Sequence, residues 1–268
     1  MTIQQKPIGV FDSGVGGLTV VRALMERLPN ENIIYFGDTA RVPYGMKSRH
    51  TIETYTEQIV SFLLEHDVKA LVIACNTIAA VAKQKVLQLA PNMPILDVIA
   101  AGSQAALTTS VTKHIGIIAT STTVNSNAYA RVIHSYEPQA RVLSQACPLL
   151  VPLVEEGWLD HEVTHLTVRE YLKPILAEDI DTLVLGCTHY PLLKALIKQE
   201  APNLSLVDSS ITTAEATARA LAQQKLENPD HNGADYRFYV SDIPLRFQTI
   251  GERFLGRSLE QLEMITLS

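Results

Sequence analysis

The chain holds three cysteines, Cys75, Cys147 and Cys187, none in a C-x-x-C pair. Neither a disulfide framework nor a structural zinc site is indicated. Two of the three share a local context. Cys75 lies in Ala70-Leu-Val-Ile-Ala-Cys-Asn-Thr77 and Cys187 in Thr182-Leu-Val-Leu-Gly-Cys-Thr-His189. In both, an apolar run leads into the cysteine and polar residues begin a helical segment. A thiol at the carboxyl end of a strand faces a ligand crevice, and the N–H groups and dipole of the following helix favour its thiolate. An ordinary thiol is already slightly ionised at neutral pH, so modest stabilisation makes it a working base. Cys147, in Cys147-Pro-Leu-Leu-Val151, has no counterpart and reads as core.

Two equivalent thiols suggest a cleft with a cysteine on either wall. Inversion of a stereocentre needs that arrangement: one thiolate removes a proton from a carbon, the opposite thiol returns one, and the reverse reaction exchanges their roles. A disulfide-exchange pair is the other reading, although such pairs usually sit close in sequence and these are 112 residues apart.

The elements that must hold these groups follow from hydrophobic patterning. Short apolar runs at 8–11, 33–36, 71–74, 95–97, 115–118, 141–144, 183–185 and 204–207 read as buried strands. Helix-period segments lie between them. Over 17–28, Leu18, Val21, Leu24, Met25 and Leu28 share one face, opposite Arg22, Glu26 and Arg27. Alternating strands and helices predict right-handed βαβ units and a mostly parallel sheet.

The cysteine segments also belong to a longer internal repeat. Lys6-Pro-Ile-Gly-Val10 returns as Lys113-His-Ile-Gly-Ile117, at an offset of 107. Ala90-Pro-Asn-Met-Pro-Ile-Leu-Asp97 returns as Ala201-Pro-Asn-Leu-Ser-Leu-Val-Asp208, at an offset of 111. Three matches in one order indicate two copies of an α/β half, followed by a tail from about 212. Two half-barrels would give the same pattern, so a closed (β/α)₈ barrel stays open at this point. In the tail, 212–224 is helix-like, 228–233 polar and 236–240 strand-like, with a final amphipathic segment and no obvious chemistry.

The first loop, Phe11-Asp-Ser-Gly-Val-Gly-Gly17, stands between strand and helix. Its glycines expose backbone N–H groups, which suits an anion. As a dinucleotide fingerprint the match is partial, because Thr19 replaces the small third residue, although Asp38 would suit a ribose. Asp12 disfavours a pyrophosphate, and Asp12 with Ser13 suits the ammonium and carboxylate of an amino acid better.

Composition excludes several classes. In 268 residues, 22 Lys+Arg against 28 Asp+Glu leave a net charge of −6 with no basic run, which speaks against nucleic acid. With 47% hydrophobic residues, the chain is globular rather than disordered. No apolar stretch approaches a membrane span, and the polar start up to Pro7 has no signal-peptide core, so a cytoplasmic location is expected.

Together these residues resemble the glutamate racemases of the aspartate/glutamate racemase superfamily. The resemblance rests on Gly9-Val-Phe-Asp-Ser-Gly-Val-Gly-Gly17, Asp38-Thr-Ala-Arg-Val-Pro-Tyr-Gly45, Ala74-Cys-Asn-Thr77, Pro152-Leu-Val-Glu-Glu-Gly157 and Gly186-Cys-Thr-His-Tyr-Pro191, and spans about 7–255. It implies cofactor-independent, metal-free interconversion of L- and D-glutamate, supplying D-glutamate for peptidoglycan synthesis. It makes Cys75 and Cys187 the two acid/base residues, the first on the D side and the second on the L side. Asp12 would assist Cys75, and His189 and Glu155 would assist Cys187. His189 distinguishes the glutamate from the aspartate enzymes, which tend to carry an acidic residue after Cys-Thr.

Substrate binding would fall to Asp12, Ser13, Tyr44, Gly45, Asn76, Thr77, Thr120, Thr188 and His189. The implied fold is α/β: two similar, pseudo-twofold-related domains with mostly parallel sheets flanked by helices and the active site in the interdomain cleft. Residues 1–98 plus 208–268 would form the first domain and 99–207 the second, with hinges near 97–101 and 207–209. A homodimer is one of the assemblies the resemblance allows. A racemase for aspartate, a non-enzymatic ligand-binding module and a nucleotide-dependent oxidoreductase are the competing readings.

Overall fold

The structure, a computed structural model, describes residues 2–230, 233–243 and 247–267, so residues 231–232 of the polar stretch lie outside it. Among the described residues, ten strands run in chain order: β1 (Ile8–Asp12), β2 (Ile33–Gly37), β3 (Ala70–Ile73), β4 (Ile95–Asp97), β5 (His114–Ala119), β6 (Arg141–Ala146), β7 (Thr182–Gly186), β8 (Ser205–Asp208), β9 (Tyr236–Val240) and β10 (Leu262–Met264). They form two sheets, ordered β10-β9-β2-β1-β3-β4 and β6-β5-β7-β8. Every pairing is parallel. Both sheets have free edges, so the barrel reading does not hold.

The repeat in the sequence is a repeat in topology. The block β2-β1-β3-β4 of the first sheet has the order of β6-β5-β7-β8 in the second. β1, β2, β3 and β7 are buried at every residue, as parallel strands covered by helices on both faces must be. β6 is different. Expected to be buried, it is a sheet edge with Arg141 and Ser144 exposed. In each lobe the chain leaves the first strand in one direction and returns on the other side, which creates a switch point between β1 and β3 and another between β5 and β7. Ligand crevices of open α/β sheets form at the carboxyl ends of such neighbours.

The helix expected over 17–28 spans Leu18–Arg27 and buries Leu18, Val21 and Leu24. Arg22 and Glu26 pair on its outer face at 2.9 Å. Thr19, Val20 and Ala23 are buried too, because helices Ser209–Gln224 and Phe247–Leu255 of the tail pack over it. The tail therefore completes the first lobe: β9 pairs with β2 and β10 with β9. β10 was not anticipated; three residues, with Glu263 and Met264 exposed, carry no readable period. No helix among the described residues is long and apolar enough to cross a membrane.

Where the chain passes between sheets, the repeated aspartates act as N-caps. Asp97 accepts N–H bonds from Ile99 and Ala100 at 3.0 and 2.9 Å and starts helix Val98–Thr109. Asp208 accepts the N–H of Ser210 at 3.0 Å and its hydroxyl at 2.6 Å, and starts helix Ser209–Gln224. Loss of an aspartate cap typically costs about 1 kcal/mol. Asp208→Ala should lower unfolding stability by about that amount, and Asp97→Ala by more, because Lys83, 2.7 Å from Asp97, loses its partner as well. Denaturant melts in which Asp208→Ala equals the parent would contradict this.

Candidate active site

β1 delivers Asp12 to the switch point of the first lobe and β3 delivers Cys75 beside it. The register Phe11↔Ile73 brings the two strand ends level. Cys75 is followed by helix Asn76–Val81, and its Sγ lies 3.4 Å from Ser13 Oγ. Burial and the Asp12 charge push the Cys75 thiol up to about 12, outweighing hydrogen bonds from Ser13 and from the Ile78 amide. The helix dipole was expected to favour a thiolate here. A six-residue helix does not overcome burial beside a carboxylate, so Cys75 is protonated at neutral pH.

Asp12 is itself buried, which raises its carboxyl, while His189 and the amides of Gly14 and Gly17 oppose the rise. Its Oδ2 accepts the Gly14 N–H at 2.9 Å. The loop amide expected to hold an anion thus serves the chain's own carboxylate. Asp38, the residue a nucleotide reading would assign to ribose, is also committed. It binds Arg41 Nε at 2.7 and 2.9 Å and accepts hydroxyl bonds from Tyr44 and Ser241. Both observations remove the dinucleotide reading of this loop.

β7 delivers Cys187 to the second lobe's switch point. Two residues on, His189 places Nδ1 3.9 Å from Cys187 Sγ and Nε2 2.8 Å from Glu155 Oε1. Glu155 ends helix Leu150–Glu155. Burial alone would lower the His189 pKa, but the hydrogen bonds and charges of Cys187 and Glu155 outweigh it and lift the imidazole to about 10. The ring is an imidazolium at neutral pH.

The two walls meet closely. Thr19 Oγ1 donates to the Thr188 carbonyl at 3.0 Å. A β-carbon at Gly16 would fall 2.2 Å from Thr188 Oγ1 and 2.6 Å from His189 Nδ1, so only glycine permits this approach. Further across, Thr77 and Thr120 share a hydroxyl bond of 3.1 Å, and Thr122 Oγ1 donates to the Gly45 carbonyl at 2.6 Å. Tyr129 OH donates to Asn76 Oδ1 at 2.7 Å. Cys75 and Cys187 are 4% and 6% exposed, so a ligand reaching them must part these contacts. Among the buried side-chain polar atoms of the described residues that lack a hydrogen-bond partner, two belong to the residues of this seam, Asp12 Oδ1 and Asn76 Nδ2. An acceptor and a donor left unpaired together match an ammonium and a carboxylate.

The structure thus gathers Asp12, Ser13, Cys75, Asn76, Thr77, Thr120, Cys187, Thr188, His189 and Glu155 along one seam. The Tyr44 hydroxyl donates to Asp38, and the neighbouring Gly45 carbonyl accepts from Thr122 of the second lobe. Cys147 is fully buried, with its thiol raised by burial and by the charge of Cys187. Four participants had no sequence signal. Thr19 and Tyr129 bridge the lobes, and Arg253 and Phe254 of the tail touch Glu155 and His189.

Residues 8–218 match the family described as Asp/Glu/Hydantoin racemase. The chain belongs to that family. A glutamate racemase of Neisseria meningitidis is 73% identical over 264 residues, 98% of either chain, and one of Syntrophus aciditrophicus is 65% identical over 97% of each. The crystal structure of glutamate racemase from Francisella tularensis in complex with D-glutamate matches with a TM-score of 0.94, at 45% identity over 99% of both chains. The protein is therefore an isomerase, an amino-acid racemase.

Two outcomes test this geometry. A group whose pKa is raised on folding stabilises the fold fully below its unfolded value and loses that contribution as pH climbs through the folded one. The stability difference between the parent and His189→Gln should therefore be largest below pH 6.5 and vanish towards pH 10; a difference that grows over this window would contradict the imidazolium. Gly16→Ala should keep the native circular dichroism yet lower turnover by at least about tenfold, because small displacements of reacting groups are amplified in rate.

Proposed function

We propose that the protein interconverts L- and D-glutamate by a two-base mechanism without a cofactor, using Cys187 and Cys75 on opposite sides of the substrate carbon. The observation that carries this reading is the equivalence of the two thiols. Each follows the third strand of a duplicated lobe, at the switch point, and the lobes face each other through Gly16, Thr188 and His189. Glutamate is the substrate named for the relatives that match over nearly the whole chain.

In the L-to-D direction, a thiolate at Cys187 takes the Cα proton. The C–H bond breaks, an S–H bond forms, and the electron pair moves into the carbon and its carboxylate. The Cys75 thiol then gives its proton to the opposite face, leaving a thiolate there. The protonated state of Cys75 in the resting site fits this donor role. His189, held by Glu155 as an imidazolium, is the counter-charge beside the Cys187 thiolate, and Asp12 stands beside Cys75 on the other wall. The Cα proton of an amino acid is weakly acidic, so the carbanion needs oriented hydrogen bonds in a site closed to water. Asn76 Nδ2 and the threonine hydroxyls of the seam are donors for the substrate carboxylates, and Asp12 Oδ1 is the acceptor for its ammonium.

The two domains of this reading are 1–98 plus 208–268 and 99–207, parting at the segments that Asp97 and Asp208 cap. The proposal extends to a cytoplasmic enzyme that supplies D-glutamate for peptidoglycan synthesis.

Purified protein given L-glutamate in D₂O, with no added cofactor, should produce D-glutamate deuterated at Cα, read by chiral chromatography and NMR. L-Aspartate should be inverted far more slowly; inversion of aspartate alone would transfer the proposal to that substrate. Cys75→Ala and Cys187→Ala should each lower racemisation about 10²–10⁴-fold, the usual loss for a general acid or base. Either variant keeping more than about a tenth of parent turnover would rule out the two-base assignment.

A further inference from the structure

The motif Pro152-Leu-Val-Glu-Glu-Gly157 ends in a glycine that the reaction does not explain, and the tail carries no chemistry visible in its sequence. The structure joins the two. Helix Leu150–Glu155 terminates through Gly157, whose φ is +80°. Gly157 N–H bonds to the Val154 carbonyl at 3.0 Å and Trp158 N–H to the Leu153 carbonyl at 2.9 Å, the left-handed ending that favours glycine. Against this end lies Arg253 of helix Phe247–Leu255. Its Nη1 donates to the carbonyls of Val154 and Glu155, each at 3.3 Å. A β-carbon at Gly157 would stand 2.8 Å from either terminal guanidinium nitrogen. Gly157 therefore leaves room for the guanidinium as well as allowing the turn. A cation at exposed helix carbonyls is electrostatically favoured.

The next residue, Phe254, is 1% exposed and meets the His189 ring edge to face, with centroids 5.0 Å apart and planes at 78°. The tail helix thus touches both members of the pair that serves Cys187: the backbone of Glu155 through Arg253 and the ring of His189 through Phe254. It does so from the first lobe, since the same helix packs on helix Leu18–Arg27.

We propose that helix Phe247–Leu255 is a positioning element for proton transfer at Cys187, with Arg253 fixing the end of helix Leu150–Glu155 and Phe254 fixing the ring of His189. Neither residue is a proton carrier; each acts through the pair it holds. The inference rests on the two-base reading above. The titratable groups facing His189 are Cys187 and Glu155 from the second lobe and Asp12 from the first, and the Phe254 ring packs against it. Loosening Arg253 frees Glu155 to move from Nε2, and less of the hold that keeps His189 protonated remains.

The test is steady-state racemisation in both directions across pH 6–11 for the parent, Arg253→Ala, Arg253→Lys and Phe254→Leu, with circular dichroism and melting on each. Arg253→Ala should lower kcat at least about tenfold with little change in KM, and should move the alkaline limb of kcat to lower pH. That sign follows because an imidazole with a weaker carboxylate contact loses its proton earlier. Arg253→Lys should recover part of both changes, and Phe254→Leu should lower kcat. A natively folded Arg253→Ala with parent kcat and an unmoved alkaline limb would overturn the proposal. So would a loss of activity that follows melting temperature alone. Should Arg253→Ala not fold, Arg253→Lys and Phe254→Leu give the same readouts, and parent-like profiles in both would equally overturn it. Cys187→Ala measured alongside separates the levels: its loss with Arg253→Ala unaffected defeats this inference only, whereas its full activity defeats the two-base reading beneath.

Discussion

The packing of Gly16 against Thr188 and His189 sets how near the two walls can come. A loop at the end of one strand in the first lobe touches the turn after Cys187 in the second, with no room for a methyl group between them. Interiors are packed densely enough that such a contact defines a position rather than a range of positions. The other bridges fall into place around it. Thr19 reaches the Thr188 carbonyl, Thr77 meets Thr120, and Tyr129 meets Asn76. Most are single hydroxyl bonds, each modest in net energy, so the seam is well defined when closed and yet separable.

Duplication supplied two thiols in equivalent places, and their surroundings then diverged. The first lobe puts Asp12 beside Cys75. The corresponding residue at the end of β5 is Ala119, so the second lobe has no carboxylate there. Conversely, His189 stands where the first lobe has Thr77. One thiol is thus kept neutral by burial and a negative neighbour, and the other faces an imidazolium supported by Glu155. Different charged neighbours at matched sites suit a reaction whose two proton transfers have opposite sense. Asp12 and His189 also act on one another, since the imidazolium opposes the rise in the Asp12 carboxyl.

Much of this was legible in the chain. Parallel strands buried on both faces are written as unbroken apolar runs, and β1, β2, β3 and β7 were read nearly to the residue. The repeat gave the paired thiols and the paired aspartates that cap the crossing helices. What escaped had identifiable causes. β6 is half apolar like a buried strand, but its place at an edge is a property of sheet order, which local pattern does not encode. β10 is too short for any period. The neutrality of Cys75 depends on burial beside Asp12, a through-space term that outweighs the local helix. Arg253 and Phe254 reach Glu155 and His189 across nearly a hundred residues of sequence or more than sixty, and ordinary residue types at such separations carry no motif.

The central claim is that one substrate carbon lies between two sulfurs. A crystal structure of the protein with glutamate bound tests it most directly, through the distances from Cα to the Sγ atoms of Cys75 and Cys187. The account predicts both sulfurs in contact distance of Cα on opposite faces, with Asn76 Nδ2 and Asp12 Oδ1 now partnered by the ligand. Glutamate touching one sulfur only, or the two thiols opening into separate pockets, would contradict it.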